Sequence, residues 1–323
     1  MLNRRHLINA TLLSAGLYNT AWAQPAFPSK PLRIVVPFGA GGVADLTARA
    51  VAQQLSVNLG QPVVIDNRPG AGGIVAAELV AKAEPDGHTL LLMSNGTAVS
   101  AGLFKSLPFN PRTDFAPVSL LGLFDIAIVV PESSPHKSLA ELIGFGRANP
   151  GKLNIGTINI GSTQHLAAEL LRTQANLIAQ IIPYNGTPGA LQDIGGGRVD
   201  LGFLDLTAAL PMIQSGRIVA LATTGSARPS ALPNVPTVAE AGYPGYEAMT
   251  WISLVAPKGM KRENIAKLSG LVNAVLADEA FKKSTAAKGM EAVGSTPEAM
   301  QRFLAGETEK WRGVIRGANI RLN

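Results

Sequence analysis

The stretch RIVVPFGAGGVADLTARAVAQQL, Arg33 to Leu55, changes its period partway along, and that change constrains the fold more than any other feature. It opens on apolar, largely β-branched residues and passes through PFGAGGVAD, a turn with three glycines and almost no bulk. From Asp45 to Leu59 apolar residues then recur at helical spacing, with Leu46, Ala50, Val51, Leu55 and Leu59 on one face. A strand that feeds a helix through a short turn is half of a right-handed βαβ unit, so the chain is committed to an α/β fold with parallel strands. The turn leaves a helix N-terminus uncovered, its N–H groups and positive dipole end aimed outward. Such an end is a ready anion site.

The alternation continues. Leu32–Pro37, Pro62–Asp66 and His88–Ser94 read as strands, with helices at Asp45–Leu59 and Ile74–Ala83. The unbroken LLLM of the third strand implies burial on both faces. A second set then starts: strands Leu153–Thr157, Ala179–Pro183, Val199–Leu204 and Ile218–Thr223, with helices Thr163–Gln174, Pro188–Ile194 and Ala208–Ser215. Two longer apolar strands, Ser119–Val130 and Ala248–Val255, are expected to pass between the two sets. The C-terminal helices Asn264–Leu276, Glu279–Ala287 and Pro297–Gly317 are expected to return to the first. The expected organisation is two α/β lobes, residues 24–124 with 252–323 and residues 125–251, hinged around a cleft of the kind ligands favour.

The first residues say where such a protein works. MLNRRHLINATLLSAGLYNTAWAQ has a basic start (Arg4, Arg5), an apolar run from Leu7 to Leu17 too short to span a bilayer, and an A-x-A step at Ala21–Ala23. We expect an export signal over residues 1–23, of the general or twin-arginine type, cleaved before Gln24. In a bacterium that places the mature chain in the periplasm. Losing Arg4 and Arg5 lowers the formal charge from +6 to about +4, and the remaining Lys and Arg form no stripe of the kind nucleic acids need. Cysteine is absent, which removes disulfides, thiolate nucleophiles and sulfur-bound zinc.

The second lobe opens as the first does. NIGTINIGSTQHLAAELL sets Gly161-Ser162-Thr163 just before a helix, where either hydroxyl can cap the helix and still face a ligand. One glycine turn alone merely connects a strand to a helix. Two of them, one per lobe, with Pro69–Gly73 (PGAGG) as a third, favour a site that grips both ends of a small anion.

Two competing readings lose ground. Gly39, Gly41 and Ala44 with Asp66 sketch a dinucleotide fingerprint. However, the chain is expected to be exported, Pro37-Phe38 widens the turn, Asp66 runs into a flexible NRPGAGG, and the second-lobe turn has no part in that scheme. Catalysis has no constellation either. His88, His136 and His165 sit in no metal-ligand pattern, Ser162 and His165 do not form a nucleophile elbow, and Asp45 is the only acid in a glycine turn, where it serves the helix dipole. No catalytic residue, metal ligand or cofactor motif is assigned.

PFGAGGVADLTAR, DNRPGAGGIVAAELVAKAEPDGHTLL, IPYNGTPGALQDIGGGRVDLGF and LPNVPTVAEAGYPGYEAMTWISLVAP, in that order, resemble the Bug family, periplasmic solute-binding proteins of tripartite tricarboxylate transporters. The resemblance runs from about Lys30 to the C-terminal helices. It implies a Venus-flytrap fold of type II, two α/β lobes joined by two crossing strands, with a small carboxylate held by backbone groups and waters. It places the contacts at Phe38, Gly39, Ala40, Gly41, Gly42 and Asp45 in lobe one, and at Gly161, Ser162, Thr163 and His165 in lobe two. Tyr184, Asn185 and Asp205 would line the second-lobe wall, joined by Trp251 unless that residue is core at the hinge. The chain departs from the family at SNGTAVSAGLF, where Ser94 and Asn95 would face the cleft, and at Leu204-Asp205-Leu206. The apolar trim of these loops leans toward an aromatic or longer-chain dicarboxylate. The implied partners are integral-membrane transporter subunits, or a membrane sensor protein, and the chain itself is expected to be monomeric. An exported enzyme using Asp45, Asp205 or His165 as acid or base is the remaining alternative.

Overall fold

The structure is a computed structural model, and it describes residues 27–41, 43–70 and 73–320. The expected export signal, Gly42 of the first turn and Ala71-Gly72 of the third lie outside the described residues.

The first half begins β1 (Leu32–Val36), α1 (Val43–Leu59), β2 (Val63–Asn67), α2 (Ile74–Ala81), β3 (Thr89–Ser94) and α3 (Asn95–Leu103). A long strand follows, β4 (Phe115–Pro131), then α4 (Leu139–Ala148). The second half holds β5 (Asn154–Ile158), α5 (Thr163–Gln174), β6 (Gln180–Tyr184), α6 (Thr187–Gly195), β7 (Leu201–Asp205), α7 (Leu206–Gln214) and β8 (Ile218–Thr223). The chain closes with β9 (Met249–Pro257), α8 (Arg262–Ala277), α9 (Glu279–Ala286), β10 (Met290–Ala292) and α10 (Pro297–Gly317).

Among the described residues all strands join one sheet, ordered β2-β1-β3-β9-β4-β7-β5-β6, with β8 and β10 paired to β4. The two lobes are the two ends of this sheet. Strand β4 joins them by changing partners: Phe115–Asp125 pair with β9, whereas Ile126–Val129 pair with β7 and Ala127–Pro131 with β8. Strand β9 starts at this exchange point and runs into the first lobe between β3 and β4. The second link leaves β8 at Thr224, whose N–H donates to Ile126 O and whose carbonyl accepts from Ala248 N.

Burial explains the elements. In β3, Leu90 and Leu92 pack on one side of the sheet with α1 and α8, while Leu91 and Met93 pack on the other with α2 and Trp251. All four are fully buried, as a strand covered on both faces requires. In α1 the buried stripe is Ala48, Val51, Ala52 and Leu55, and Leu46, expected to face inward, is exposed because it lies on the opposite side of the helix. Helix α10 begins at a Thr296 cap followed by Pro297, and its Trp311 and Ile315 enter the same apolar cluster as Leu166 of α5. It therefore spans from the first lobe to the second.

Three elements escape the sequence pattern: α3, α4 and the short β10. Helix α4 carries a capping-box signal, with Ser138 accepting from Glu141 N while Glu141 accepts from Lys137 N.

Candidate functional site

In each lobe the turns that follow the parallel strands converge. The β1–α1 turn is open: Phe38, Gly39, Ala40 and Gly41 are all exposed, and Gly41 has a positive φ that only glycine adopts without strain. Its shape is held from below by Asp45, whose side chain is 1% exposed. Asp45 accepts from Gly41 N at 2.9 Å, from Arg49 Nε at 2.9 Å and from Asn67 Nδ2 at 2.9 Å. Burial works against its charge, but the bonds from Arg49, Gly41 and Asn67 prevail and hold its carboxyl below the usual carboxylate range. Asp45 is thus committed to the turn. Asn67 also donates to Phe38 O at 3.0 Å, which ties the β2 end to the same loop. The PGAGG turn arrives beside it: a Cβ on Gly73 would lie 3.0 Å from Thr97 Oγ1 and 3.2 Å from Pro37 Cβ. The Thr97 hydroxyl beneath is buried and has no hydrogen-bond partner among the described residues.

Ser94 ends β3 and Asn95 opens α3, and both are buried. The Asn95 amide is consumed internally, accepting from Trp251 N at 2.7 Å and donating to Met249 O and Glu307 Oε2. Glu307 of α10 also accepts from the indole N–H groups of Trp251 and Trp311, each at 2.9 Å. Trp251 is fully buried and belongs to the core.

In the second lobe, Ser162 caps α5 by accepting from His165 N at 3.1 Å, and its hydroxyl donates to Ile158 O. Gly161 has a positive φ and donates its N–H to His165 Nδ1 at 3.2 Å. That bond leaves the imidazole proton on Nε2. Burial, with Arg172 adding to it, pushes the His165 pKa down to about 4, so the ring is a neutral N–H donor across the physiological range. Thr163 is buried in the first turn of α5. Asn159 N donates to Tyr184 O at 2.9 Å and so joins the β6–α6 turn to this one. The Tyr184 hydroxyl is taken by Asp193 at 2.8 Å, while Asn185 is exposed.

Asp205 closes β7 and links the lobes. Its Oδ1 accepts from Gln164 Nε2 at 2.6 Å and from Thr250 Oγ1 at 3.1 Å. Burial raises its pKa, and those two bonds oppose the rise without cancelling it. Asn95 of the first lobe and Asp205 of the second thus meet the same few residues of β9, Met249–Trp251, which form the floor between the two sets of turns. Asn67, Thr97, Gln164, Thr250 and Glu307 were not singled out from the sequence. Gln164 stands between residues that were, but an uncharged amide at a helix start carries no signal of its own.

The rim is apolar. Phe38 on the first turn is 38% exposed and Ile160 on the second 48%. Neither the β1–α1 turn nor the β5–α5 turn contains Lys or Arg, while Arg49 of α1 is held by Asp45 and Asn67, and Arg68 of the β2–α2 turn by Asp66. Among the described residues no group of His, Asp or Glu could hold a metal ion, and no helix is long and apolar enough to cross a membrane.

Residues 47–320 match the model of the tripartite tricarboxylate transporter family receptor. The chain belongs to that family. BugT of Bordetella pertussis is 37% identical over 298 residues, 92% of this chain and 91% of that one. Among solved structures, R. palustris Rpa4515 with adipate superposes with a TM-score of 0.83 at 36% identity, covering 92% of this chain and all of that one. MatC from Rhodopseudomonas palustris, with bound malate, reaches 0.77 at 32% identity, covering 90% of this chain and all of that one. The expected two-lobed periplasmic-binding-protein fold is therefore the fold of this receptor.

Proposed function

We propose that this receptor is a periplasmic solute-binding protein that captures a small dicarboxylate between its two lobes and hands it to integral-membrane transporter subunits. The lobes are residues 24–124 with 252–323 and residues 125–251. The observation that carries the reading is the pairing, across one floor, of the exposed β1–α1 turn with the β5–α5 turn, neither bearing Lys or Arg. An anion held this way is fixed by N–H groups, helix dipoles and the His165 Nε2–H, in an arrangement that supplies no nucleophile. The bound adipate and malate of two relatives support a dicarboxylate. The apolar Phe38 and Ile160 favour one whose carboxylates are separated by a methylene chain or a ring. Delivery to a membrane sensor instead of a transporter would use the same capture step.

A thermal-shift panel on residues 24–323 tests this, with C4–C6 dicarboxylates, citrate, acidic amino acids, benzoates and NAD. A true ligand at a hundred times its Kd adds about 2.7 kcal/mol, a rise of several degrees. A response to dicarboxylates is expected. A response to NAD alone would replace this reading with a dinucleotide site.

A further inference from the structure

Asp205 poses a question that capture of an anion does not answer: a carboxyl group stands where a carboxylate ligand is to lie. Its Oδ1 is occupied by Gln164 and Thr250, whereas Oδ2 has no partner among the described residues and is not sealed from solvent. Gln164 lies in the first turn of α5, so Asp205 adjoins the Gly161–His165 segment through it.

The elements packed on β7 bring no cation to balance two carboxylates. Strand β9 and the facing strand β5 have no charged residue, and neither does α7. Helix α5 brings neutral His165, with Glu169 and Arg172 paired to each other further along. Helix α6 brings Asp193, already paired with Arg198. Strand β4 brings Asp125, which faces the Gly225 N–H and Glu291 at the hinge.

Resting on the proposed capture of a dicarboxylate, we infer that Asp205 binds one ligand carboxylate as a neutral acid, donating a hydrogen bond from Oδ2, so that each binding event takes up a proton. Two carboxyl groups that share a site cannot both ionise cheaply, and one proton between them replaces repulsion with a strong O–H···O⁻ bond. The burial that already raises the Asp205 pKa makes this proton easy to hold. Affinity then falls with rising pH, by up to tenfold per unit where the free protein is ionised and the complex is not.

Calorimetric titration of residues 24–323 with adipate and with malate, in phosphate and in Tris, over pH 6.5 to 9, measures the proton directly. We expect buffer-dependent heats whose difference grows toward one proton per ligand as the pH rises, with affinity falling in step. Asp205→Asn keeps an acceptor for Gln164 and Thr250 but has no carboxyl to protonate, so its binding is expected to carry no proton. Asp125→Asn is expected to retain the uptake. Heats equal in both buffers across the range overturn the inference while leaving capture intact. Glutamate binding more tightly than glutarate with equal heats does the same, because an ionised Asp205 would then be pairing with the ligand's ammonium. No binding of any dicarboxylate overturns the capture reading and the inference with it.

Discussion

At the residue scale the most consequential side chains are those that hold the turns. Asp45 is one. Replacing it with Ala leaves Gly41 N–H without its acceptor and takes from Asn67 Nδ2 one of its two, and the expected cost is about 1–3 kcal/mol in urea unfolding. Its folded pKa lies below its unfolded one, so its contribution is present above about pH 4 and disappears as the pH falls through the folded value. Wild type and Asp45→Asn should therefore differ at pH 7 and converge in strong acid. A difference that persists there would show that the carboxylate charge is not what holds the turn. His165 acts with the opposite group but the same sign. Its folded pKa of about 4 lies below the ordinary 6.5, so the unfolded chain binds the extra proton and stability falls as the pH drops from 6.5 to 4. The slope is at most about 1.4 kcal/mol per pH unit, and His165→Gln should remove it.

At the element scale the parallel units were legible because each strand and helix announces its own period. The helices Thr163–Gln174 and Pro297–Gly317 appear in the structure with the bounds the sequence implied, since Ser162 and Thr296 cap them and the polar flanks stop them. Helix α3 was hidden by its composition, NGTAVSAGL, in which small and polar residues give no clear stripe. It is helical because it is wedged between β3 and α10. The site shows the same division. Glycine turns are visible in a sequence, whereas the floor is not, because it depends on β9 being threaded between β3 and β4 by contacts more than 150 residues apart. Glu307 secures that floor from α10. Glu307→Ala strands the buried indole N–H groups of Trp251 and Trp311 together, and the expected loss is about 2–5 kcal/mol with a change in tryptophan fluorescence. Ser162→Ala, which removes the α5 cap and the hydrogen bond to Ile158 O, should cost about 1–2 kcal/mol of stability. A Glu307 variant as stable as wild type would mean that α10 is not anchored through these indoles.

At the scale of the whole molecule, the chain crosses between lobes at β4 and at the Thr224–Ala248 link, and α10 packs against both. Such an arrangement can bend where β4 exchanges partners at Asp125 and Ile126 while each end of the sheet stays intact. A ligand gripped by both turns, as proposed, would bind the shut form better than the open one, and that differential affinity would drive closure. The most direct measurement is small-angle X-ray scattering of residues 24–323, with and without a saturating amount of the dicarboxylate giving the largest thermal shift. Closure of the lobes on the ligand predicts a smaller radius of gyration in the complex, reversed when the ligand is dialysed away. A saturated complex with the same radius as the free protein would contradict capture by closure of the two lobes.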